Sequence, residues 1–271
     1  MKSTIIASLV ATAALAGAGC AIDEAGDEPG DEPADEVLTG QTQQEVSSFG
    51  IWNWGCSSGP CALDLGVITG RTCFLAGVWG NLQPSSGGYS QVQVIQSGGH
   101  WGLQIVPAGN PLGGTAVCIP GTTVKQGSWF SGAAETNLGS GAQRRCFLSG
   151  VINIDGMTNW TDYLRVRQVA GTWFLGGNIP AGKDTRAAAI CVDVPTAGGD
   201  FGMVVSDGFS NLHAAVQDNN PWGWACGLKK LGGHFTTNAW NDGVWLEYNN
   251  GISMWELNGV NGKQATVSCV K

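Results

Sequence analysis

Short runs of alternating apolar and polar residues recur along the chain, and each run is followed by a turn and a further apolar run. The first lies at residues 90–96, with a Gly-rich turn at 97–99 and a second run at 101–106. The same order starts at Tyr163 and again at Val244. A two-residue period broken by a short Gly or Asn-Gly turn is typical of β-hairpins, so the pattern predicts three hairpins.

The hairpins belong to a longer repeat. Residues 71–78 match residues 144–151 at an offset of 73 residues, and the same offset carries Cys118 onto Cys191. A third, more diverged copy runs from residue 226 to residue 269. A fixed period of this kind indicates a repeat architecture before any motif is considered.

The first 19 residues have the layout of a secretory signal. One basic residue, Lys2, is followed by an apolar stretch at residues 5–15 and by small residues at 16–19. This is the order of regions in an export signal. The apolar stretch is shorter than the roughly 20 residues that a membrane-spanning helix needs, so it favours a removed leader over a retained anchor.

The end of this leader resembles the signal of bacterial lipoproteins. Residues 17–20, Gly-Ala-Gly-Cys, are similar to the lipobox, in which the cysteine is acylated and becomes the mature N-terminus. The resemblance implies lipidation at Cys20 and attachment to the bacterial envelope, at the outer membrane or cell surface, through the lipid alone. The sequence departs from the lipobox at Gly17, where Leu is usual. An ordinary signal-peptidase site after Ala18 is the alternative.

The number and spacing of the cysteines support both the leader and the repeat. The chain has nine cysteines, and setting Cys20 aside leaves an even number that can form four bridges. The cysteines of the three repeats are separated by 45, 45 and 43 residues. A zinc site is disfavoured, because Cys56 and Cys61 are the one close cysteine pair in the sequence and its three histidines are scattered. The predicted bridges are Cys73–Cys118, Cys146–Cys191, Cys226–Cys269 and, in a small loop of the first repeat, Cys56–Cys61.

Together these patterns predict an all-β protein of three disulfide-closed repeats. The cysteine segments add two strands to each hairpin, which makes about four strands per repeat. Three such units favour a pseudo-threefold body similar to a β-trefoil or a β-prism, with three small β modules in tandem as the alternative. The predicted boundaries are 1–19 for the signal peptide, 20–45 for a tether, and 46–120, 121–193 and 194–271 for repeats 1, 2 and 3.

The acidic residues are concentrated in the tether. Residues 23–36 are acidic pairs spaced by Ala, Gly and Pro, a composition that predicts an extended, disordered segment. Of the 21 acidic and 13 basic residues, nine acidic residues precede Val46 and Lys2 lies in the leader, which leaves 12 of each in the body. A body with no excess of positive charge is not predicted to bind nucleic acid.

The sequence does not predict an enzyme. Residues 55–59 fit the Gly-x-Ser-x-Gly pattern, but Pro60 follows where a helix should begin. The histidines His100, His213 and His234 do not recur from repeat to repeat, and His100 is expected at the surface beside a hairpin turn.

No cofactor is predicted either. Asp155, Asn159 and Asp162 crowd one loop that could offer oxygen ligands to calcium, yet their spacing departs from the regular calcium-binding loop. A turn rich in Asp and Asn needs no metal.

Among the residue types of this chain, the tryptophans give the clearest indication of a function. Trp101 and Trp173 occupy the same position of their repeats, with Trp255 as a looser third, and this recurrence predicts core residues. Exposed aromatic rings beside amides and carboxylates suit neutral sugars. The tryptophans placed in turns or between repeats include Trp52, Trp54 and Trp79. The predicted ligand-binding residues are Trp160, Asp162, Trp222, Trp224, Trp240 and Asp242.

These expectations favour an exported surface lipoprotein that acts as a binding module for carbohydrate or another cell-surface polymer. A structural or protein-interaction component of the envelope is the alternative, and it would expose an apolar patch. A hydrolase is the third hypothesis, and it requires one deep cleft with clustered ionisable groups.

Overall fold

The described part of the chain consists of β-strands joined by turns and loops. The computed structural model describes residues 43–46, 49–85, 88–194, 197–204, 214–216, 224–236, 242–249, 254–260 and 262–270. No helix occurs in these ranges. The protein is therefore all-β in every range that the structure describes, as the sequence predicts.

The strands are grouped by the residue ranges predicted as repeats 1, 2 and 3. Repeat 1 and the residues before it contain β1 (Gln43–Val46), β2 (Phe49–Cys56), β3 (Cys61–Val67), β4 (Arg71–Gly80), β5 (Ser90–Ser97), β6 (His100–Val106) and β7 (Leu112–Pro120). Repeat 2 contains β8 (Thr123–Phe130), β9 (Thr136–Ser140), β10 (Arg144–Asn153), β11 (Tyr163–Val169), β12 (Thr172–Asn178) and β13 (Thr185–Asp193). Repeat 3 contains β14 (Ala197–Val204), β15 (Ala214–Val216), β16 (Ala225–Gly232), β17 (Gly243–Asn249), β18 (Met254–Gly259) and β19 (Gln264–Val270).

Two strands precede the first cysteine strand of each repeat, so each repeat has six described strands rather than the four that the sequence predicts. β1 is one strand more, and it begins at Gln43, inside the range expected to be a disordered tether. It pairs with β2, which supplies the backbone hydrogen-bond partners that an isolated acidic segment lacks. These strands were not predicted from the sequence, because they contain Gly and polar residues and lack a clear alternation of apolar and polar positions.

The strands form three antiparallel sheets. Sheet A has the order β1-β2-β7-β4-β17-β18-β15, sheet B has β3-β6-β5-β10-β13-β8, and sheet C has β14-β19-β16-β11-β12-β9. The hairpin of each predicted repeat range pairs with the first cysteine strand of another range. The pairs are β5 with β10, β11 with β16, and β17 with β4. Each sheet therefore contains strands from more than one range.

Three of the disulfides each join two paired, non-edge strands of one sheet. Cys73 and Cys118 face each other on β4 and β7, and the same arrangement joins β10 to β13 and β16 to β19. A bridge between two strands that already pair closes one long loop of chain and lowers the entropy of the unfolded state. The four bridges are those that the spacing predicts: Cys56–Cys61, Cys73–Cys118, Cys146–Cys191 and Cys226–Cys269.

The cysteine strands β4, β10 and β16 contact one another, and their aromatic residues meet at this contact. The rings of Phe74 and Phe147, each directly after a cysteine, stack with centroids 4.1 Å apart. The corresponding residue of repeat 3 is Gly227, where a Cβ atom would lie 2.5 Å from the Phe74 ring and 2.7 Å from Phe147. Two rings fill this part of the core, and the third residue has to be small.

The recurring tryptophans are core residues, as predicted. Trp101, Trp173 and Trp255 are buried, and the indole N–H of Trp101 donates to the Arg71 carbonyl at 2.9 Å. Other tryptophans differ from the expectation that they lie in turns or between repeats. Trp52 and Trp54 belong to β2 and Trp79 to β4, where strand pairing covers them. Trp52 is buried, and Trp54 and Trp79 are partly buried.

Candidate functional site

The loop between β10 and β11, residues 154–162, is held by its own carboxylate. Asp162 Oδ2 accepts hydrogen bonds from the backbone N–H groups of Thr158 and Asn159, each at 2.9 Å. The Asp162 carbonyl accepts the N–H of Gly233 at 2.9 Å. Met157 is buried with φ at 57°, a conformation uncommon for a residue with a side chain. These contacts fix the loop in one conformation.

Trp160 is the exposed aromatic residue of this loop. With 46% of its surface accessible, it is the most exposed of the tryptophans whose side chains the structure describes. The ring lies directly over Gly262, and the His234 ring packs beside it with centroids 5.5 Å apart. The Trp160 carbonyl accepts a hydrogen bond from Gln264 Nε2 at 2.9 Å. The indole is thus anchored from behind by repeat 3 while part of it faces solvent.

A cleft of about 260 Å³ is lined by residues that flank Trp160 in the sequence. Asn159, Thr161 and Asn178 are exposed in it, and Asn178 Nδ2 donates to the Thr161 carbonyl at 2.9 Å. Trp129 also lines the cleft and is buried. We call the exposed group of Asn159, Trp160, Thr161 and Asn178 the Trp160 surface. It combines an aromatic face with amide and hydroxyl groups, which is the chemistry that a sugar ring needs.

The two predicted ligand-binding aspartates have internal partners. Asp162 is buried and closes its own loop. Asp242 is fully buried and forms an ion pair of 2.7 Å with Lys263, which is itself 1% exposed. Burial lowers the pKa of Lys263, and the Asp242 carboxylate opposes that shift. Both carboxylates are used inside the fold, and neither faces a ligand. The sequence could not show this, because an Asp beside a Trp in a turn looks the same whether its side chain points outward or inward.

The other predicted binding residues are dispersed. Trp224 is partly buried against the core, and its carbonyl accepts the indole N–H of Trp255 at 2.8 Å. Trp222 and Trp240 lie outside the described residues, as does the predicted lipidation site, Cys20. Of the four predicted ligand-binding residues that the structure describes, Trp160 is therefore the exposed one.

The loop considered for calcium has protein partners for its carboxylates. Asp155 Oδ1 accepts the backbone N–H of Asp184, and Lys183 Nζ lies 3.7 Å from Asp155 Oδ2. Asp162 bonds to the loop backbone. Among the described residues, no group of three or more His, Cys, Asp or Glu side chains is arranged to hold a metal ion.

The remaining candidate chemistry is at the surface. His100 Nδ1 lies 3.0 Å from the carboxylate of Asp64, and both side chains are exposed. The N–H of Gly66 and then the imidazole of His100 lower the pKa of Asp64. His234 contacts Thr236 at 3.0 Å and the Trp160 ring, and His213 lies outside the described residues. Residues 57–59, from the Gly-x-Ser-x-Gly segment, form a bend beside the Cys56–Cys61 bridge.

A second cavity was not predicted from the sequence. It has a volume of about 510 Å³. We call it the basic cavity, because five cationic side chains line it and none of its described lining residues is acidic. The cations are Arg145, Arg165, Arg167, Lys229 and Lys230. The available signal was an Arg-x-Arg pair in a predicted strand of repeat 2 and a Lys-Lys pair in repeat 3, but a charge total over the whole body conceals both.

No known family model matches the chain, and no curated protein and no solved structure is significantly similar to it. Within the ranges that the structure describes, no helix has the length and apolar character needed to cross a membrane.

Proposed function

We propose that this chain is an exported bacterial surface protein whose body binds carbohydrate or a cell-surface polymer at the Trp160 surface. The observation that carries the proposal is the exposed indole of Trp160, fixed over Gly262 and flanked by exposed Asn and Thr side chains. An indole face packs against the C–H groups of a sugar ring, and the neighbouring amides bond its hydroxyls.

The architecture proposed for this body is three copies of one unit closed into a pseudo-threefold, β-prism-like arrangement. The cyclic pairing of hairpins with cysteine strands supports it, because a hairpin shared with the next copy makes the copies interdependent. A shared local contact supports it as well: Arg71 Nη1 donates to the Leu65 carbonyl at 3.0 Å, and Arg144 Nη1 donates to the Leu138 carbonyl at 3.4 Å. Limited proteolysis that released separately folded repeats would favour tandem modules instead.

Anchoring to the envelope through Cys20 is the second part of the proposal. It is supported by the lipobox-like end of the leader and by the four disulfides, which form in oxidising compartments outside the cytoplasm. Mass spectrometry of the mature N-terminus tests it: a diacylated or triacylated Cys20 is expected. An unmodified Gly19 or Cys20 at the N-terminus excludes it.

The binding proposal is tested with the mature chain on a glycan array and in pull-downs with neutral polysaccharides, in calcium and in chelator. Trp160→Ala is expected to weaken binding about three- to tenfold, which is the worth of one aromatic contact. Tyr89→Ala is the matched control, because Tyr89 is also 46% exposed and lies before β5 on sheet B. Equal loss in both variants, or no binding by the unmodified chain, overturns the proposal.

A protein-interaction role is the second candidate, and β8 favours it. β8 is an edge strand of sheet B, and Val124 and Phe130 on it are exposed, Phe130 to 62%. An exposed edge strand with apolar side chains is a surface on which another chain can pair. Under this hypothesis Phe130→Lys abolishes cross-linking to an envelope protein, and Trp160→Ala leaves it unchanged.

A further inference from the structure

The cations of the basic cavity are gathered by strand pairing between repeats 2 and 3. Arg165 and Arg167 alternate along β11 with the buried Leu164 and Val166, so both arginines lie on the face of the strand turned away from the core. β11 pairs with β16, the first cysteine strand of repeat 3, which contributes Lys230. A body with balanced formal charge thus has a local concentration of positive charge.

The pairing places like charges opposite each other. Arg165 on β11 is the direct partner of Lys230 on β16, and Thr266 on β19 follows as the partner of Lys230. Burial lowers the pKa of Lys230, and the charge of Arg165 lowers it further. Like charges at opposed positions destabilise a sheet. An arrangement that costs stability on an outer face is expected where an anion is to be bound, because the anion removes the repulsion.

One carboxylate of the protein, Glu135, pairs with Arg165 and Arg167 without lining the cavity itself. Glu135 Oε2 lies 2.6 Å from Arg167 Nη2, and Glu135 Oε1 lies 3.6 Å from Arg165 Nη2. The hydrogen bond from Arg167 is the main reason that the pKa of Glu135 is lowered. Among the described residues, Lys230 and Arg145 form no ion pair. Glu135 shows that a carboxylate fits these arginines, and Lys230 and Arg145 can take a second anion.

A single residue connects the basic cavity to the Trp160 surface. Gln264, at the start of β19, accepts a hydrogen bond from Lys230 Nζ at 2.7 Å and donates one to the Trp160 carbonyl at 2.9 Å. Lys230 also packs against the ring of Tyr163, the residue that begins β11, with its Nζ 4.6 Å from the centroid. Gln264 therefore links the ammonium of Lys230 to the backbone of Trp160.

We propose that the basic cavity binds the sulfate or carboxylate groups of an acidic polysaccharide, whose neighbouring sugar rings pack on the Trp160 surface. This inference rests on the proposed carbohydrate function and deepens it by naming the class of sugar. Arginine binds planar carboxylates and sulfates through paired N–H groups, and lysine adds a compact charge. The attachment of the cavity to an aromatic and amide surface favours a charged sugar polymer over a lipid headgroup or a nucleic acid.

The test measures binding of the mature chain to dextran sulfate and to polygalacturonate. Neutral dextran is the uncharged counterpart of dextran sulfate. The cavity variant is Arg145→Gln/Lys230→Gln. The control, Lys125→Gln/Arg186→Gln, removes the same total charge from exposed positions on sheet B. The cavity variant is expected to weaken binding to both acidic polymers by about tenfold or more, since two charge-assisted contacts are lost, whereas the control changes it by less than about twofold.

The possible outcomes separate this inference from the function on which it rests. Equal weakening in the two variants overturns the inference, because it shows attraction to total charge only. Tighter binding to poly(dT) or to phosphatidylglycerol vesicles than to the acidic polymers, lost in the cavity variant, also overturns it. If Trp160→Ala leaves binding to every polysaccharide unchanged while the cavity variant loses dextran sulfate, the carbohydrate function is the part that fails. If Lys230→Gln alone weakens binding while its urea midpoint is no lower than that of the unmodified chain, misfolding is excluded as the cause.

Discussion

A lysine in the interior of the body and a lysine on the outer face of sheet C have neighbours of opposite charge. Inside, Lys263 is 1% exposed and has the Asp242 carboxylate at 2.7 Å. On the outer face, Lys230 is partly buried and faces the guanidinium of Arg165. Burial lowers the pKa of both lysines, but an opposite charge compensates in the first case and a like charge adds to the shift in the second.

The difference separates residues that hold the fold from residues available to a ligand. A buried charge with its counter-ion stabilises the fold relative to losing either partner. A cation opposed by another cation has no such structural benefit, and its location on an open cavity gives it access to solutes.

Removing the counter-ion in the interior should have the largest effect. Asp242→Asn removes the carboxylate that lies 2.7 Å from the buried Lys263 Nζ, and we expect the free energy of unfolding to fall by about 3–5 kcal/mol. Urea unfolding measures this. The control is Asp193→Asn, which removes a half-exposed carboxylate 3.3 Å from Arg144 and should cost about 0–1 kcal/mol. Equal losses would show that the two ion pairs do not differ as the structure indicates.

The packing of the interior can be tested at the contact of the three cysteine strands. Gly227→Ala places a methyl group about 2.5 Å from the Phe74 ring, and we expect a loss of about 1–3 kcal/mol in the free energy of unfolding. Gly102→Ala is the matched control: an added Cβ would be 3.6 Å from its nearest neighbour, and the expected change is within about 0.5 kcal/mol. Combining Gly227→Ala with Phe74→Leu should recover part of the loss, and failure to do so argues against the clash.

On the outer face, removal of a lysine should stabilise the protein. Lys230→Met keeps the apolar stem and removes the repulsion with Arg165, so the free energy of unfolding should rise by about 0.2–1 kcal/mol near neutral pH. Lys125→Met, at an exposed position of β8, should change it by less than about 0.5 kcal/mol. A destabilised Lys230→Met variant would mean that the contacts with Tyr163 and Gln264 outweigh the repulsion.

The smallest effect is in the pH dependence of stability. The pKa of Lys230 is lower in the folded protein than its ordinary value of 10.5, so in the window between the two values the unfolded chain binds a proton that the folded chain has lost. The free energy of unfolding therefore rises with pH across that window. The difference between the wild-type and Lys230→Met profiles isolates this contribution from other groups. A difference that is flat up to pH 10.5 contradicts the lowered pKa.

The local features of the fold could be predicted because they depend on neighbouring residues or on a repeated spacing. The three hairpins follow from the alternation of apolar and polar residues, and the disulfides follow from cysteine separations that recur. The burial of Trp101, Trp173 and Trp255 follows from their repeated position. Strands β2, β8 and β14 were missed because apolar and polar residues do not alternate clearly along them. Pairing with the second cysteine strands stabilises them.

The candidate site was only partly predictable. Trp160 was identified from its Asn and Asp neighbours, a signal that does not distinguish an outward side chain from an inward one, and the same signal placed the buried Asp162 and Asp242 in the site. The basic cavity was missed, since Arg165 and Lys230 are 65 positions apart in the chain and meet through pairing of two repeats.

The all-β class, the hairpins and the partners of the cysteines could be predicted from the sequence, because alternation, turn composition and spacing act over short stretches or recur along the chain. The sheet that each hairpin joins, the tryptophan that faces solvent and the charges that face each other became known from the packing of the folded chain. These outcomes depend on pairing between residues distant in sequence, and a register shift of one residue would turn Arg165 inward and Leu164 outward.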